Sequence, residues 1–171
     1  MQINNCHNID DFRKMAKSRI PAPLFHYIDG GADDESTLRR NTSAYDEYDL
    51  VPNGLADVAN IDLSATILGQ KVGSPLFLAP TGMNRLFHHD GERATSRAAE
   101  KYSCYYSLST LSSVSIEEIG ALTSSPKMFQ IYIHKDRGLT YELIERCKRA
   151  KFTSLCLTID TIVAGNRERD L

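Results

Sequence analysis

The chain has 171 residues, of which 42% are hydrophobic and 25% are charged, and these ordinary globular values exclude disordered and low-complexity proteins. Lys and Arg number 20 and Asp and Glu number 22, so the net charge is −2. This balance argues against a nucleic-acid partner, because such proteins normally carry a basic excess.

Residues 1–74 are predicted to form an irregular, mostly helical extension. Apolar periodicity predicts helices over 9–16, 22–28 and 35–45. The run Asp29-Gly30-Gly31-Ala32-Asp33 breaks the chain before the third of these helices. Short extended pieces follow over 60–71, and Leu68-Gly69-Gln70-Lys71 is predicted to be a hairpin turn.

A regular alternation of apolar runs and amphipathic segments begins after Ser74. Helices are predicted between the strands; Ala94, Ala98 and Ala99 share one face of the first, and Ser115 caps the second. Apolar strands that alternate with helices are typical of a parallel sheet covered by helices. The predicted strands span 75–79, 104–108, 127–133 and 153–159, and the predicted helices span 91–102, 115–122 and 136–150.

The fold class predicted from this alternation is α/β, with repeating units of about 25 residues that match a TIM barrel. Four strands are half of the eight that a closed barrel needs. We therefore expect 75–171 to be the first half of a barrel, with 1–74 packing on it as an extension. A doubly wound sheet is the alternative, but the turn Ala79-Pro80-Thr81-Gly82-Met83-Asn84 lacks the GxGxxG pattern that such a sheet uses to hold a phosphate.

Candidate functional residues lie where the predicted strands end, because active groups of a barrel cluster at the carboxyl ends of its strands. The set is rich in neutral donors and acceptors, which suit hydrogen bonding to a flat, uncharged, polar ring. It lacks the paired carboxylates of a glycoside hydrolase and the converging ligands of a metal site. The residues are Pro80, Thr81, Gly82, Met83, Ser109, Thr110, Gln130, Tyr132, His134, Thr158, Asp160 and Arg167.

Several of these residues have more than one interpretation. Gln130 lies in an apolar strand, where burying its amide without a partner costs about 1–3 kcal/mol, so either a ligand or another strand's side chain should bind it. Tyr132 shares its strand face by the two-residue period. Ser109 could cap the next segment. Arg167 could clamp a carboxylate or lie in a solvated loop, and His88-His89-Asp90 suggests a metal, although a loop before a helix is favoured.

Six segments in order, spread over essentially the whole chain, resemble the FMN-dependent α-hydroxy acid dehydrogenase/oxidase family, which includes L-lactate dehydrogenase, glycolate oxidase and mandelate dehydrogenase. That family has the TIM-barrel fold, in agreement with the alternation of strands and helices. The matching segments are 27–35 (YIDGGADDE), 79–83 (APTGM), 107–109 (SLS), 129–132 (FQIY), 157–161 (LTIDT) and 165–170 (GNRERD).

The resemblance implies FMN as the cofactor and the oxidation of a small, lactate-like L-2-hydroxy acid to the 2-oxo acid. It places Tyr27 on the substrate carboxylate, Arg167 near that carboxylate, and Tyr132 beside the substrate hydroxyl as a catalytic residue. The remaining implied positions belong to the flavin: Pro80, Thr81 and Gly82 along it, and Ser109, Gln130 and Thr158 hydrogen-bonded to its isoalloxazine ring.

The family's catalytic His, its main substrate Arg, the Lys that faces the flavin and the FMN phosphate site lie in the second half of the barrel. We therefore expect this chain to be part of a longer protein, inactive alone and weak in holding FMN. A non-catalytic half-barrel that binds or assembles with a partner is the alternative. Gly82 and Asn84 favour the dehydrogenase branch, with a quinone or another carrier rather than oxygen as electron acceptor.

The cellular setting is predicted from composition and resemblance together. No segment approaches the ~20 apolar residues needed to cross a bilayer, and the first residues do not resemble a secretory signal. The four cysteines form no CxxC pair, which favours a reducing cytoplasm. Some dehydrogenase members associate peripherally with the inner membrane, and closed symmetric homo-oligomers are common for such barrels.

Overall fold

The computed structural model describes residues 3–170, and these residues divide into two compact units. The N-terminal unit contains the chain up to Ala56 together with the segment that begins at Val163. The sheet unit runs from Asp57 to Ile162. The boundary at residue 74 that the sequence suggested between an extension and a half-barrel stays a prediction.

The N-terminal unit is built on three helices. Asn8 caps the first by accepting the Asp11 N–H at 2.9 Å. The helix predicted over 35–45 is shorter, because Glu35 adopts a left-handed φ of 56° and the last residues, Ala44–Glu47, form a separate 3₁₀ turn. The helices are α1 (Ile9–Arg19), α2 (Ala22–Asp29) and α3 (Ser36–Ser43).

The sheet unit begins with an antiparallel hairpin of β1 (Ala65–Ile67) and β2 (Gln70–Val72). Its turn contains only Leu68 and Gly69, which both have a positive φ (48° and 75°), as a two-residue hairpin turn requires. The predicted four-residue turn was therefore too long, since its last two residues pair within β2.

Four parallel strands follow in the spatial order β3-β4-β5-β6, each joined to the next by a helix. This arrangement confirms the predicted α/β class, because it is the pattern of the first four β/α units of a TIM barrel. The strands are β3 (Phe77–Leu78), β4 (Tyr105–Ser109), β5 (Lys127–Ile131) and β6 (Ser154–Leu157), and the helices are α4 (Glu92–Lys101), α5 (Ile116–Leu122) and α6 (Arg137–Arg149).

The main core lies between this sheet and its helices. Leu108 and Phe129 from the strands pack there with Ile119 and Cys147 from the helices, and all four are buried. The buried face of α4 differs from the prediction: it presents Glu92, Ser96 and Ala99, whereas Ala98 is exposed. These three positions are spaced by four and three residues, as one helix face requires.

The two edge strands expose apolar side chains. Phe77 on β3 and Leu155 and Leu157 on β6 are 53%, 45% and 52% exposed. An open sheet edge with apolar neighbours is the surface expected of half a barrel, and it favours association with other chains. Among residues 3–170, no helix is both long enough and apolar enough to span a lipid bilayer.

Candidate flavin and substrate site

The carboxyl ends of β4, β5 and β6 meet at the Gln130 side chain, which is only 4% exposed. Its Oε1 accepts hydrogen bonds from Ser109 Oγ and from the Thr110 backbone N–H, both at 3.1 Å. Its Nε2 donates to Thr158 Oγ1 at 2.7 Å. Three of the predicted cofactor residues, which come from three different strands, therefore form one hydrogen-bonded cluster.

The orientation of this amide is fixed by chemistry. The Thr110 N–H can only donate, so the amide oxygen must face it and the Nε2 must face Thr158. The bond to Thr158 uses one of the two Nε2 hydrogens, and within residues 3–170 the second has no hydrogen-bond acceptor. Side chains of neighbouring strands thus bind the Gln130 amide, as one of its two interpretations required, and leave one donor available to a ligand.

The loop after β3 holds the other predicted cofactor residues, Pro80, Thr81 and Gly82. Thr81 Oγ1 donates to Asn84 Oδ1 at 3.1 Å. A Cβ added to Gly82 would lie 3.1 Å from Leu111 Cβ, so this glycine permits close packing against the loop after β4. The Met83 N–H donates to Leu111 O at 2.9 Å and ties the two loops together.

Tyr132 follows β5 and is half-buried. Its backbone N–H donates to Thr110 Oγ1 at 3.3 Å instead of continuing the strand ladder, which accounts for β5 ending before the predicted residue 133. Thr110 Oγ1 itself donates to the Gln130 carbonyl at 2.5 Å. Thr110 therefore links the Gln130 cluster to Tyr132.

Tyr27 and Arg167 meet within the N-terminal unit. The Arg167 guanidinium lies 5.4 Å from the centroid of the Tyr27 ring and donates to the Tyr27 carbonyl. It also bonds the Asp170 carboxylate, at 2.6 Å from Nε. This bond raises the pKa of Arg167, which burial opposes, so the group stays a cation. Arg167 is half-buried and lies in an exposed segment, so its role as a clamp for a carboxylate stays a prediction.

Asp29 and Arg169 anchor this arrangement, although neither was predicted from the sequence. Arg169 NH2 lies 3.0 Å from Asp29 Oδ2, and its NH1 lies 3.0 Å from Glu35 Oε1. Arg13 binds Asp29 from the other side. Hydrogen bonding to Arg13 lowers the pKa of Asp29, burial opposes this, and Arg169 lowers it further. Arginine–carboxylate pairs thus hold the segment after Val163 against α2. Arg167 belongs to this segment and lies beside Tyr27 of α2.

The His88-His89-Asp90 run has its three ligand atoms within 4.8 Å of one another. His88 Nδ1, however, accepts the Asp90 N–H at 3.2 Å, and Arg97 pairs with Asp90 at 3.2 Å. Both histidines are exposed. These contacts keep the run as a loop that leads into α4.

The residues of the Gln130 cluster suit the isoalloxazine ring of FMN. Ser109, Thr110, Gln130 and Thr158 are neutral, and the spare Gln130 N–H and the Thr158 hydroxyl hydrogen can donate to ring oxygen and nitrogen atoms. A neutral donor set fits an uncharged ring, because an unpaired buried charge beside it would be costly. The chemistry of these donors therefore fits the flavin ring.

Comparison with known proteins shows the family to which the chain belongs. A sequence model of the FMN-dependent dehydrogenase family matches residues 16–171. A peroxisomal (S)-2-hydroxy-acid oxidase of Oryza sativa is 39% identical over 171 residues, which are all of this chain and 47% of the relative. An L-lactate oxidase of Nostoc is 42% identical, over 98% of this chain and 47% of the relative. The chain thus spans about half the length of these curated relatives.

Solved structures agree with this comparison. A soluble mutant of the membrane-associated (S)-mandelate dehydrogenase from Pseudomonas putida superposes with a TM-score of 0.91 and 35% identity, over 97% of this chain and 47% of that one. A mandelate oxidase with (S)-2-phenylpropionate gives a TM-score of 0.91 at 31% identity, over 97% and 49% of the two chains. With a family match over most of its residues, this chain belongs to the FMN-dependent dehydrogenase family.

Proposed function

We propose that this chain supplies the flavin-ring site and part of the substrate site of an enzyme that oxidises a small, lactate-like L-2-hydroxy acid to the 2-oxo acid. The observation that carries the proposal is the cluster in which Gln130 bonds Ser109 and Thr158 at the carboxyl ends of three parallel strands. Polar groups at this edge of a barrel are where ligands bind.

On the cofactor side, Ser109, Gln130 and Thr158 bind the isoalloxazine ring, and the loop of Pro80, Thr81 and Gly82 lies along it. FMN, when bound, supplies a two-electron acceptor. The protein contributes orientation, because the Gln130 amide is held by its neighbours before any ligand arrives. A donor fixed in this way loses little side-chain entropy on binding.

On the substrate side, Tyr27 and Arg167 bind the carboxylate, and Tyr132 lies beside the hydroxyl. The Arg167 guanidinium bonds Asp170 and the Tyr27 carbonyl, so it carries its charge in a fixed position beside the Tyr27 ring. A hydrogen bond from the Tyr132 hydroxyl stabilises negative charge as it develops on the substrate oxygen. The general base belongs to the remainder of the complete enzyme, in line with the resemblance.

The complete protein is proposed to pass its electrons to a quinone or another carrier, to act in the cytoplasm with peripheral association with the inner membrane, and to form homo-oligomers. A second candidate function rests on the edge strands, where Phe77, Leu155 and Leu157 are about half exposed. Such an apolar edge favours a non-catalytic half-barrel that assembles with a partner. A light-scattering mass that rises with concentration, in the absence of flavin binding, would support this second function.

The test is a titration of the 171-residue chain with FMN and with riboflavin, followed by flavin fluorescence. The expected result is weak binding of both, with affinities within about threefold of each other, because the phosphate of FMN finds no site on these residues. Gln130→Leu should lower both affinities at least tenfold. The matched control is Gln70→Leu, which makes the same change on β2 and should leave both unchanged.

Each other outcome overturns a part of the proposal. Failure of both flavins to bind at their solubility limit would refute the ring site. Much tighter binding of FMN than of riboflavin would place a phosphate site on this chain, against the expectation. Turnover of L-lactate, glycolate or (S)-mandelate by the chain alone would refute the assignment of the general base to the remainder of the enzyme.

A further inference from the structure

Glu92, the first residue of α4, is a fully buried carboxylate that the proposed function does not use. Its exposed fraction is 0%, and within residues 3–170 no Lys, Arg or His forms an ion pair with it. An isolated charge of this kind is costly to bury unless several hydrogen bonds stabilise it. Its partners therefore indicate why a carboxylate occupies the position.

Those partners belong to two different loops at the carboxyl ends of the strands. Glu92 Oε1 accepts the Asn84 N–H at 3.2 Å, from the loop after β3, and the Ser113 N–H at 2.9 Å, from the loop after β4. Glu92 Oε2 accepts the Ser113 hydroxyl at 2.7 Å. Ser113 Oγ in turn accepts the Arg85 N–H at 3.0 Å. One carboxylate thus forms hydrogen bonds to both loops.

Further hydrogen bonds connect the two loops to the residues that are proposed to bind the flavin. Asn84 accepts from Thr81 on one side of Glu92. On the other side, the second loop reaches the Gln130 cluster, because the Leu111 N–H donates to Ser109 Oγ at 3.1 Å. A shift of either loop would therefore move a group assigned to the flavin.

The electrostatics keep the carboxylate ionised. Burial raises the pKa of the Glu92 carboxyl, but hydrogen bonds from Ser113, from the Glu92 backbone N–H and from Asn84 outweigh burial and hold the pKa below its usual value. The position in the first turn of a ten-residue helix adds the favourable end of the helix dipole. A charged acceptor also makes stronger bonds to backbone N–H groups than a neutral acceptor does.

We propose that Glu92 is a positioning residue for flavin binding, which holds the loops after β3 and β4 in the register that the isoalloxazine ring requires. The choice of flavin as the ligand rests on the proposed function. The connection between the two loops rests on the geometry alone. In this proposal Glu92 contacts neither flavin nor substrate and acts only through the two loops.

The test compares Glu92→Leu, Glu92→Gln and the exposed control Glu142→Leu in the 171-residue chain. Amide hydrogen exchange reports on the loops, and the riboflavin titration reports on binding. In Glu92→Leu the Asn84 and Ser113 amides should exchange at least tenfold faster while the β5 amides keep their rates, and riboflavin affinity should fall at least tenfold. Glu92→Gln should stay within about threefold of wild type in both measurements, because one amide oxygen can accept both backbone N–H groups.

Several results would overturn the proposal. Loop amides as protected in Glu92→Leu as in wild type would show that the carboxylate does not hold the loops. Loosened loops with unchanged riboflavin affinity would show that their register is irrelevant to the ring.

Two further results separate this proposal from the proposed function. If wild type binds no flavin, the proposed function fails and the cofactor role of Glu92 falls with it, while the exchange rates still decide the loop connection. If Glu92→Leu does not fold, Ser113→Ala removes the bond to Glu92 Oε2 together with the acceptor of the Arg85 N–H, but keeps both backbone bonds to Oε1. It should give a three- to fivefold loss of riboflavin affinity. An unchanged affinity in Ser113→Ala would then contradict the proposal.

Discussion

Replacing Gln130 by Leu should destabilise the sheet unit by about 2 kcal/mol, since an unsatisfied buried N–H costs ~1–3 kcal/mol. The substitution keeps the side-chain volume similar but removes both hydrogen-bonding atoms. The Ser109 and Thr158 hydroxyls can rotate toward other partners. The Thr110 N–H is fixed by the backbone and loses the acceptor that it has at 3.1 Å, so it accounts for most of the loss.

The assay is hydrogen exchange of the β5 amides, because the chain contains two compact units and a single global transition would mix them. A loss of about 2 kcal/mol corresponds to roughly thirtyfold faster exchange of the most protected amides. Gln70→Leu should change these rates by less than about threefold. An equally small change in Gln130→Leu would refute the claim that the Gln130 amide is buried and bonded by its neighbours.

Three further predictions concern other parts of the chain. The stability advantage of wild type over Glu92→Gln should be full near neutral pH and lost as the pH falls through the lowered folded-state pKa of Glu92, because the unfolded chain takes up the proton first. Hydrogen exchange of the β4 amides near pH 7 and near pH 3, corrected for intrinsic rates, checks this, and a pH-independent difference would contradict it. Asp29→Asn should speed tryptic cleavage after Arg167 and Arg169, since it weakens the anchor of the last segment, and unchanged cleavage would count against that anchor. Ser115→Ala should cost about 1 kcal/mol, because Ser115 Oγ caps α5 by accepting the Glu118 N–H at 3.2 Å. A loss below about 0.3 kcal/mol in the hydrogen exchange of the α5 amides would disprove the cap.

The sequence alone predicts where the parallel strands and the helices between them lie, for a physical reason. The apolar runs of β4 and β5 are buried on both faces of the parallel sheet, so their pattern is continuous and easily recognised. Gln130 interrupts such a run, and its need for a partner follows from its burial. Which partner binds it depends on register, because Ser109 faces Gln130 only once β4 and β5 are aligned.

Other features of the site depend on contacts that are distant in the chain. A glutamate in the first turn of a helix is usually exposed, so the sequence of α4 carries no sign that Glu92 is buried beneath two loops. The pairing of Arg169 with Asp29 joins residues that are 140 positions apart. The sequence pattern places three alanines of α4 on one face, yet the buried face includes Glu92 and Ser96. The Ser96 hydroxyl bonds locally to the Arg93 carbonyl, whereas Glu92 bonds two loops.

The measurement that tests the central claim most directly is the side-chain amide resonance of Gln130 in the ¹⁵N-labelled chain as riboflavin is added. If the Gln130 cluster holds the flavin ring, this resonance and the Thr110 backbone amide shift together along one binding curve, because the spare Nε2 hydrogen then faces the ring. The side-chain amide of Gln70 should not move. Riboflavin binding that shifts other residues and leaves Gln130 unchanged would contradict the claim that this cluster holds the flavin ring.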